Sequence, residues 1–336
     1  MRKAQPSVTV LVTVKNMADT ITKCIDSLMK LNYNNYKVYV TDAFSTDGTW
    51  EILQRLKKKY GRKLIIEQVE GNIAKAHNYM IKKVKTSFIA FTDADCIVDK
   101  NWLRELMKGF DSPSVVATAG YCATPKKVNK LQRLIGMELE SRFKRFFGKY
   151  ISRAPTMNLC VKTNYVRKVM FDERLDVTQE SDFGWRLTRL GKMKYVPTAI
   201  VWHHHRPTLK SYFRQQYRYG KSLPLLYLKH PKRAKGDHIS TPFMMFQEYA
   251  FISIIVSALI SILWKQFVPL IFLSIGMLII LYLLDILSFC KNLKDTVSMM
   301  FLYFLRNVGW TLGFVVGGMK IMVHLLRHGN LRRLKL

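Results

Sequence analysis

Thr86-Ser-Phe-Ile-Ala-Phe-Thr-Asp-Ala-Asp-Cys96 decides how this chain reads. A run of apolar β-formers ends abruptly in two carboxylates, Asp93 and Asp95. That is the pattern of a buried strand delivering acids to a cleft. The acids are two residues apart, so in an extended segment both side chains point to the same side, near enough to share one divalent cation. Carboxylate oxygens are hard ligands that favour Mg2+ or Mn2+ over zinc. A cation held by so few protein ligands completes its shell with water and substrate phosphates, which suggests chemistry on a diphosphate.

Upstream of this stretch, strand and helix patterns alternate. Val8–Val14 reads as a strand, and Asp19–Leu31 carries Ile21, Ile25, Leu28 and Met29 at helical spacing. Lys37–Thr41, Leu64–Gln68 and Phe88–Thr92 are further strands, separated by helices over Thr49–Tyr60 and Ala74–Val84. This order predicts an α/β fold with a mostly parallel sheet covered on both faces, whose ligands bind outside the carboxyl ends of the strands. Lys15 with Asn16, Asp42 with Ser45, and Asp93 with Asp95 all fall at such ends. Three polar loops therefore converge on one edge.

Composition then separates the chain into two parts. It has 336 residues and a formal charge of +31. The first 240 residues hold 45 Lys and Arg against 20 Asp and Glu, whereas residues 241–336 hold 9 against 3 and are strongly apolar. A basic domain joined to apolar helices fits an anionic membrane surface. Nucleic acid is the rival partner for such charge, but no zinc-finger, RNP or basic-zipper pattern is present, so no nucleic-acid partner is expected. Cys24, Cys96, Cys122, Cys160 and Cys290 are scattered without C-x-x-C spacing, which argues against a disulfide framework and fits a reducing compartment. Met1-Arg-Lys precedes a β-branched strand rather than a signal-peptide core, so the polar part is expected in the cytoplasm.

The stretch 124–153 interleaves bases such as Lys130, Arg133, Arg142, Arg145 and Lys149 with Leu134, Leu139, Phe143 and Phe147, and reads as an interfacial amphipathic segment or an ordinary basic surface helix. Leu209–Leu228 mixes aromatics with Arg and Lys, as suits the headgroup zone. Phe243–Leu263 and Phe267–Phe289 are each long enough to span hydrocarbon and form a hairpin across Trp264-Lys-Gln. Ser298–Leu326 is a third apolar stretch, interrupted by Arg306, Asn307 and four glycines. Three spans would put the basic tail that begins at Arg327 outside, against the positive-inside rule, so the third stretch reads either as a span that breaks the rule or as a re-entrant, interfacial or hairpin segment. The expected organisation is a catalytic domain over 1–206, an interfacial segment over 207–242 and a multi-pass membrane region of two or three spans with a basic tail over 243–336.

Six motifs, in order, resemble those of membrane-bound family 2 glycosyltransferases with a GT-A fold. They are Val8–Asn16 with Asp19, Val40–Thr49, Gly71–Asn78, Phe91–Asp95 (the family's D-x-D loop), Thr178–Arg186 and Gln215-Gln-Tyr-Arg-Tyr219. The resemblance covers roughly residues 8–222. It implies a Rossmann-like catalytic domain and an inverting, Mn2+- or Mg2+-dependent transfer from a nucleotide-diphosphate sugar. The acceptor would be a membrane lipid or lipid-linked saccharide, such as polyprenyl phosphate, at the cytoplasmic face of the cell membrane.

The same resemblance implies residue roles. Val14, Asn16, Asp42, Ser45, Lys75, Asp93 and Ala94 would bind the nucleotide sugar, and Gln215, Arg218 and Tyr219 would close over the diphosphate or the acceptor. Asp95 and Asp93 would hold the metal, joined by His203 or His205. Glu180 would deprotonate the acceptor hydroxyl, with Asp182 as the alternative base or a helix-start carboxylate favoured by the macrodipole. The chain departs from the family at Ala43, Phe44 and Tyr219, which stand where Asp, Gly and Trp are usual. A nucleotidyl- or phosphotransferase acting on a membrane lipid is the alternative enzyme class, and a catalytically silent membrane scaffold is a third. The presence of Asp42, Asp93, Asp95 and Glu180 together argues against the scaffold.

Overall fold

The computed structural model describes residues 5–146, 150–331 and 334. Met1–Lys3, Phe147, Lys149 and the tail bases Arg332, Arg333 and Lys335 lie outside the described residues. The chain divides into two compact units: Met1–Val128 with Phe143–His205, and Asn129–Arg142 with Arg206–Leu336.

The first unit opens with β1 (Val8–Val14), α1 (Ala18–Met29), β2 (Tyr36–Asp42), α2 (Thr49–Tyr60), β3 (Leu64–Gln68), α3 (Ile73–Lys83) and β4 (Phe88–Asp93). Val8, Val10, Leu11 and Val12 of β1 are all fully buried, as expected of a parallel strand covered on both faces. α1 turns Ile21, Cys24, Ile25 and Leu28 inward at helical spacing. The β3-β2-β1-β4 half of the sheet is parallel throughout.

Beyond β4 the alternation stops, and the sheet as a whole is mixed. The chain turns at Ala94 and Asp95 into the short β5 (Cys96–Val98) rather than making a helical crossover, and continues through α4 (Trp102–Lys108) to β6 (Val115–Ala123). After α5 (Lys130–Phe143) come β7 (Tyr150–Ile151), β8 (Leu159–Lys162), α6 (Thr163–Val169), α7 (Gln179–Leu187) and β9 (Lys192–His203). β8 joins β4 and β6 antiparallel, β6 and β9 are parallel, and β5 and β7 pair antiparallel with β9. The turn also corrects the extended geometry expected for Asp93 and Asp95. Asp93 ends a strand and Asp95 sits in a turn, so two-residue alternation does not set their directions.

The second unit contains α5, α8 (Leu209–Lys229), α9 (Pro242–Leu263), α10 (Val268–Ile286) and α11 (Leu293–His328). α9, the segment Lys265–Ile286 and α11 are each long and apolar enough to cross a membrane. Thr208 and Ser211 form a capping box at the start of α8, and Asn292 caps α11. Their core joins Leu134 of α5 and Tyr212 of α8 to Leu278, Tyr282, Met299 and Tyr303. α11 is one continuous helix, so its glycines and Arg306 do not break it. Arg306 is buried, donates to Glu138 at 2.9 Å and to Gln247, and lies over the Tyr303 ring. A buried charge is tolerated when paired in this way.

Candidate functional site

The loops after β1 and β2 are tied together by side chains. Asn16 adopts a left-handed conformation, φ 53°, which Asn tolerates better than most residues. Its backbone N–H donates to Ser45 Oγ at 2.8 Å, and Thr46 N–H donates back to Asn16 Oδ1 at 2.9 Å. Ala18 N–H bonds Asp47 and Met17 N–H bonds Thr49, so four contacts fix the two strand ends. Val14 is buried at the end of β1.

Asp42 is fully buried beneath this pair of loops. It accepts the Ser45 N–H and the Gln68 amide, each at 3.0 Å, and the Ser45 hydroxyl at 2.5 Å. Of the roughly four lone-pair positions of a carboxylate, three are therefore used inside the protein. Its demonstrable work is to shape the loop that presents Ser45. Lys75 is exposed on the first turn of α3, where Asn72 caps the helix by accepting Lys75 N–H. Two residues on, His77 is buried against Phe91 and Phe171, and burial lowers its pKa to about 3, so it is a neutral core group.

A metal-competent corner forms where β5 pairs with the end of β9. Cys96 lies opposite His203 in register, and Asp95, Cys96 and His203 bring ligand atoms within 4.8 Å of one another. His203 Nε2 stands 3.5 Å from Asp95 Oδ1, and His204 N–H donates to the Asp95 carbonyl. Cys96 is fully buried, and its soft thiol points to the same Asp95 oxygen. Apart from the thiol, the donors are thus one carboxylate and one imidazole, a hard and borderline set that fits Mn2+ or Mg2+. His205 faces His203 across 3.2 Å between their Nδ1 atoms, with Thr124 beside its Nε2. That arrangement orients the His203 ring. Asp93 and Ala94 flank the corner in sequence, Ala94 being buried, but Asp93 is outside the three-residue group.

The two candidate bases sit in different surroundings. Glu180, in the first turn of α7, accepts Thr156 N–H at 3.0 Å and the Thr156 hydroxyl at 3.3 Å. Burial raises its pKa, opposed by the Thr156 bonds and by the positive charge of Arg153. Asp182 is fully buried, and one of its oxygens accepts both Arg186 Nε at 2.8 Å and Arg186 Nη2 at 2.6 Å. Arg186 also donates to the carbonyls of Val169 and Met170, so Asp182 anchors the start of α7 to the end of α6. Asn158 acts as a clip: it accepts Trp102 Nε1 and donates to the carbonyls of Tyr121 and Ala199.

Residues 9–175 match the family model for glycosyl transferase family 2. The chain belongs to this family. Among its curated relatives is the pre-mycofactocin glycosyltransferase of Mycobacterium tuberculosis (strain H37Rv), 26% identical over 188 residues. That alignment takes in 51% of this chain and only 38% of the relative's length. Glycosyltransferase AglE of Haloferax volcanii is 27% identical over 232 residues, which cover 66% of this chain and 74% of that protein. Among solved structures, a mannosyltransferase of Pyrobaculum calidifontis superposes with a TM-score of 0.57 at 17% identity, covering 95% of this chain and 88% of that one. At that identity the likeness establishes a shared GT-A fold.

Three residues of this family 2 glycosyltransferase stand out beyond those the motifs single out for a role. Phe44, between Asp42 and Ser45, holds a left-handed φ of 53° and is 54% exposed. A bulky residue there costs roughly 1–3 kcal/mol and persists where it serves something else. Arg153 is buried, donates to Ser181 at 3.1 Å and lies over the Trp185 ring, next to Glu180. Its only sequence signal was a place in a basic run. In the second unit, Trp310 stacks on Tyr219 with centroids 5.5 Å apart and donates to Gln216 at 3.0 Å. Of the expected trio on α8, Tyr219 therefore engages α11, Arg218 is exposed and Gln215 is half-buried.

Proposed function

We propose that this enzyme transfers a sugar, with inversion, from a nucleoside diphosphate sugar to a lipid or lipid-linked acceptor at the cytoplasmic face of the cell membrane. The observation that carries the reading lies within the first unit. A carboxylate and imidazole donor pair, Asp95 and His203, stands at the carboxyl edge of the sheet, and Glu180 is held by Thr156 as a separate carboxylate of raised pKa. The P. calidifontis mannosyltransferase, of the same fold, is described in complex with GDP-Man and Mn2+. That supports assigning the edge to a nucleotide sugar and a divalent cation.

A cation held by Asp95 and His203, with Asp93 nearby in sequence, would act as a Lewis acid, neutralising the charge that develops on the departing diphosphate. Glu180 takes the proton of the acceptor hydroxyl as that oxygen forms its bond to the anomeric carbon, and the bond from that carbon to the diphosphate oxygen breaks on the opposite side. Thr156 fixes the direction of the Glu180 carboxylate, leaving its other oxygen for the acceptor. The ion pair of Asp182 with Arg186 favours Glu180 over Asp182 for this role. The loops of Asn16, Asp42, Ser45 and Lys75 are assigned to the nucleotide. The three apolar helices support the assignment of the acceptor to the membrane.

The test is to offer membranes containing the protein a panel of nucleotide sugars with Mn2+ and total membrane lipid, then to identify glycosylated lipid by mass spectrometry. Transfer to a soluble sugar or peptide, with no lipid product, would replace the acceptor assignment.

A further inference from the structure

α8 and α11 lie against each other lengthwise and run in the same direction. Tyr212 Oη donates to the Leu302 carbonyl at 3.3 Å, Gln216 meets Trp310, and further along Tyr217 and Lys221 meet Gly313 and Gly317. A Cβ on Gly313 would run into the Tyr217 carbonyl, and one on Gly317 into that of Lys221, so the two backbones approach as closely as backbones can. Whatever depth the Leu302–Gly317 stretch of α11 occupies in a membrane, α8 occupies it too.

α8 is unsuited to cross. It carries Lys210, Arg214, Arg218, Lys221 and Lys229, and the first three are exposed. A span that included that stretch of α11 would draw charges of α8 into hydrocarbon, which membranes strongly disfavour. α11 itself is two-faced. Val297, Phe301, Phe304, Leu312, Val315 and Met319 are exposed along one stripe that continues to Leu326, whereas Leu302, Arg306, Trp310 and Gly313 face inward. At about 1.5 Å per residue the stripe is about 44 Å long, well beyond the ~30 Å hydrocarbon core. Lys320 and Arg327, both exposed, border its far end and suit anionic headgroups.

We propose that α11, paired with α8, lies lengthwise in the interface of the bilayer, and that α9 and α10 alone cross as a hairpin. Both ends of α11 then stay on the side where α9 begins and α10 ends. The occupant of the exposed stripe is lipid, and the basic tail obeys the positive-inside rule because it never crosses. This inference rests on the membrane reading of the proposed function, and not on the chemistry.

The experiment uses the full chain with single cysteines introduced at three exposed positions, Lys265→Cys in the α9–α10 connection, Lys291→Cys before α11 and Asn330→Cys after it. Each is labelled with a membrane-impermeant maleimide in sealed vesicles of either orientation. The five native cysteines are buried, and the parent chain gives the background. Expected is labelling of Asn330→Cys and Lys291→Cys in the same orientation, with Lys265→Cys labelled only in the other. Labelling of Asn330→Cys together with Lys265→Cys, protection of Asn330→Cys in both orientations, or all three on one side would overturn the arrangement. Failure of the protein to sediment with membranes would instead remove the membrane reading itself.

Discussion

Thr156 donates both its backbone N–H and its hydroxyl to one oxygen of Glu180, at 3.0 and 3.3 Å. The nearby Asp182 spends its charge on Arg186. Glu180 is half-buried and held by the neutral donors of Thr156, whereas Asp182 is fully buried and committed to an ion pair, and this difference separates the two acids. Glu180→Gln keeps the size of the side chain and removes the basicity. It is expected to lower kcat by roughly 10²–10⁴ with little change in donor binding. Asp182→Asn leaves Arg186 without its counter-charge and is expected to destabilise the fold by roughly 3 kcal/mol while the residual folded enzyme turns over. Thermal melts beside steady-state kinetics read both. A crippled but fully stable Asp182→Asn enzyme would reverse the assignment.

The pH dependence follows from the same residue. Burial disfavours the Glu180 carboxylate, so its pKa is raised above the ordinary 4.5 and the ionised form that the proposed base role requires is lost, as pH falls, earlier than for an exposed glutamate. The acidic limb of kcat is expected to lie above that value and to vanish in Glu180→Gln. Stability has the opposite sense. A raised carboxylate pKa means that the folded state holds the proton more tightly, so this group costs stability as pH rises from its unfolded value through its folded one. Melting curves of the parent and Glu180→Gln proteins across that window check the sign: the variant is expected to gain relative to the parent as pH increases.

Phe44 offers a prediction with two opposed readouts. Its left-handed backbone is strained and its exposed ring contributes little burial, so Phe44→Gly is expected to raise stability by about 1 kcal/mol. If the ring covers the base of the donor, the same variant raises the donor KM several-fold. Calorimetry and donor titration separate the two effects, and a stabilised variant with unchanged KM would deny Phe44 a binding role.

Close approach of α8 and α11 depends on hydrogen at Gly313. Gly313→Val would push a side chain into the Tyr217 carbonyl and is expected to cost 1–3 kcal/mol or more through overpacking. Gly276, with open space around its Cβ position, is the control: Gly276→Ala should be neutral or mildly stabilising. Detergent-extracted protein followed by thermal aggregation reports the contrast.

Much of this fold is legible locally, because the physics that forms it is local. β1 is β-branched and buried along its length, and α1 repeats its apolar residues with the helical period, so element type and order follow from pattern. The second half of the sheet is set by pairing between distant strands. Nothing near Ala94 announces that β5 will seek β9 more than a hundred residues later. The ion pair of Glu138 with Arg306 spans a separation of 168 residues, which is why α5 reads as a basic surface or interfacial helix yet belongs with α8–α11. In the candidate site, the acids and histidines were visible as residue types in motif order. Their division of labour was not, because Asp42 and Asp182 look alike in sequence and only their internal hydrogen bonds show how much of each carboxylate is already used. Arg153 shows in sequence only as one base of a basic run and Trp310 carries no local signal, so their roles are found only by what they touch.

The most direct test of the central claim is the fate of the donor's phosphates and sugar in one reaction. Membranes carrying the parent or Asp95→Ala protein are incubated with the nucleotide sugar that gives turnover, with and without a divalent-metal chelator, and both products are quantified by mass spectrometry. Expected are one nucleoside diphosphate released per sugar gained by the lipid, loss of both in chelator, and loss of both in Asp95→Ala protein that remains folded. Full activity in chelator, or release of pyrophosphate or nucleoside monophosphate in place of the diphosphate, would contradict it.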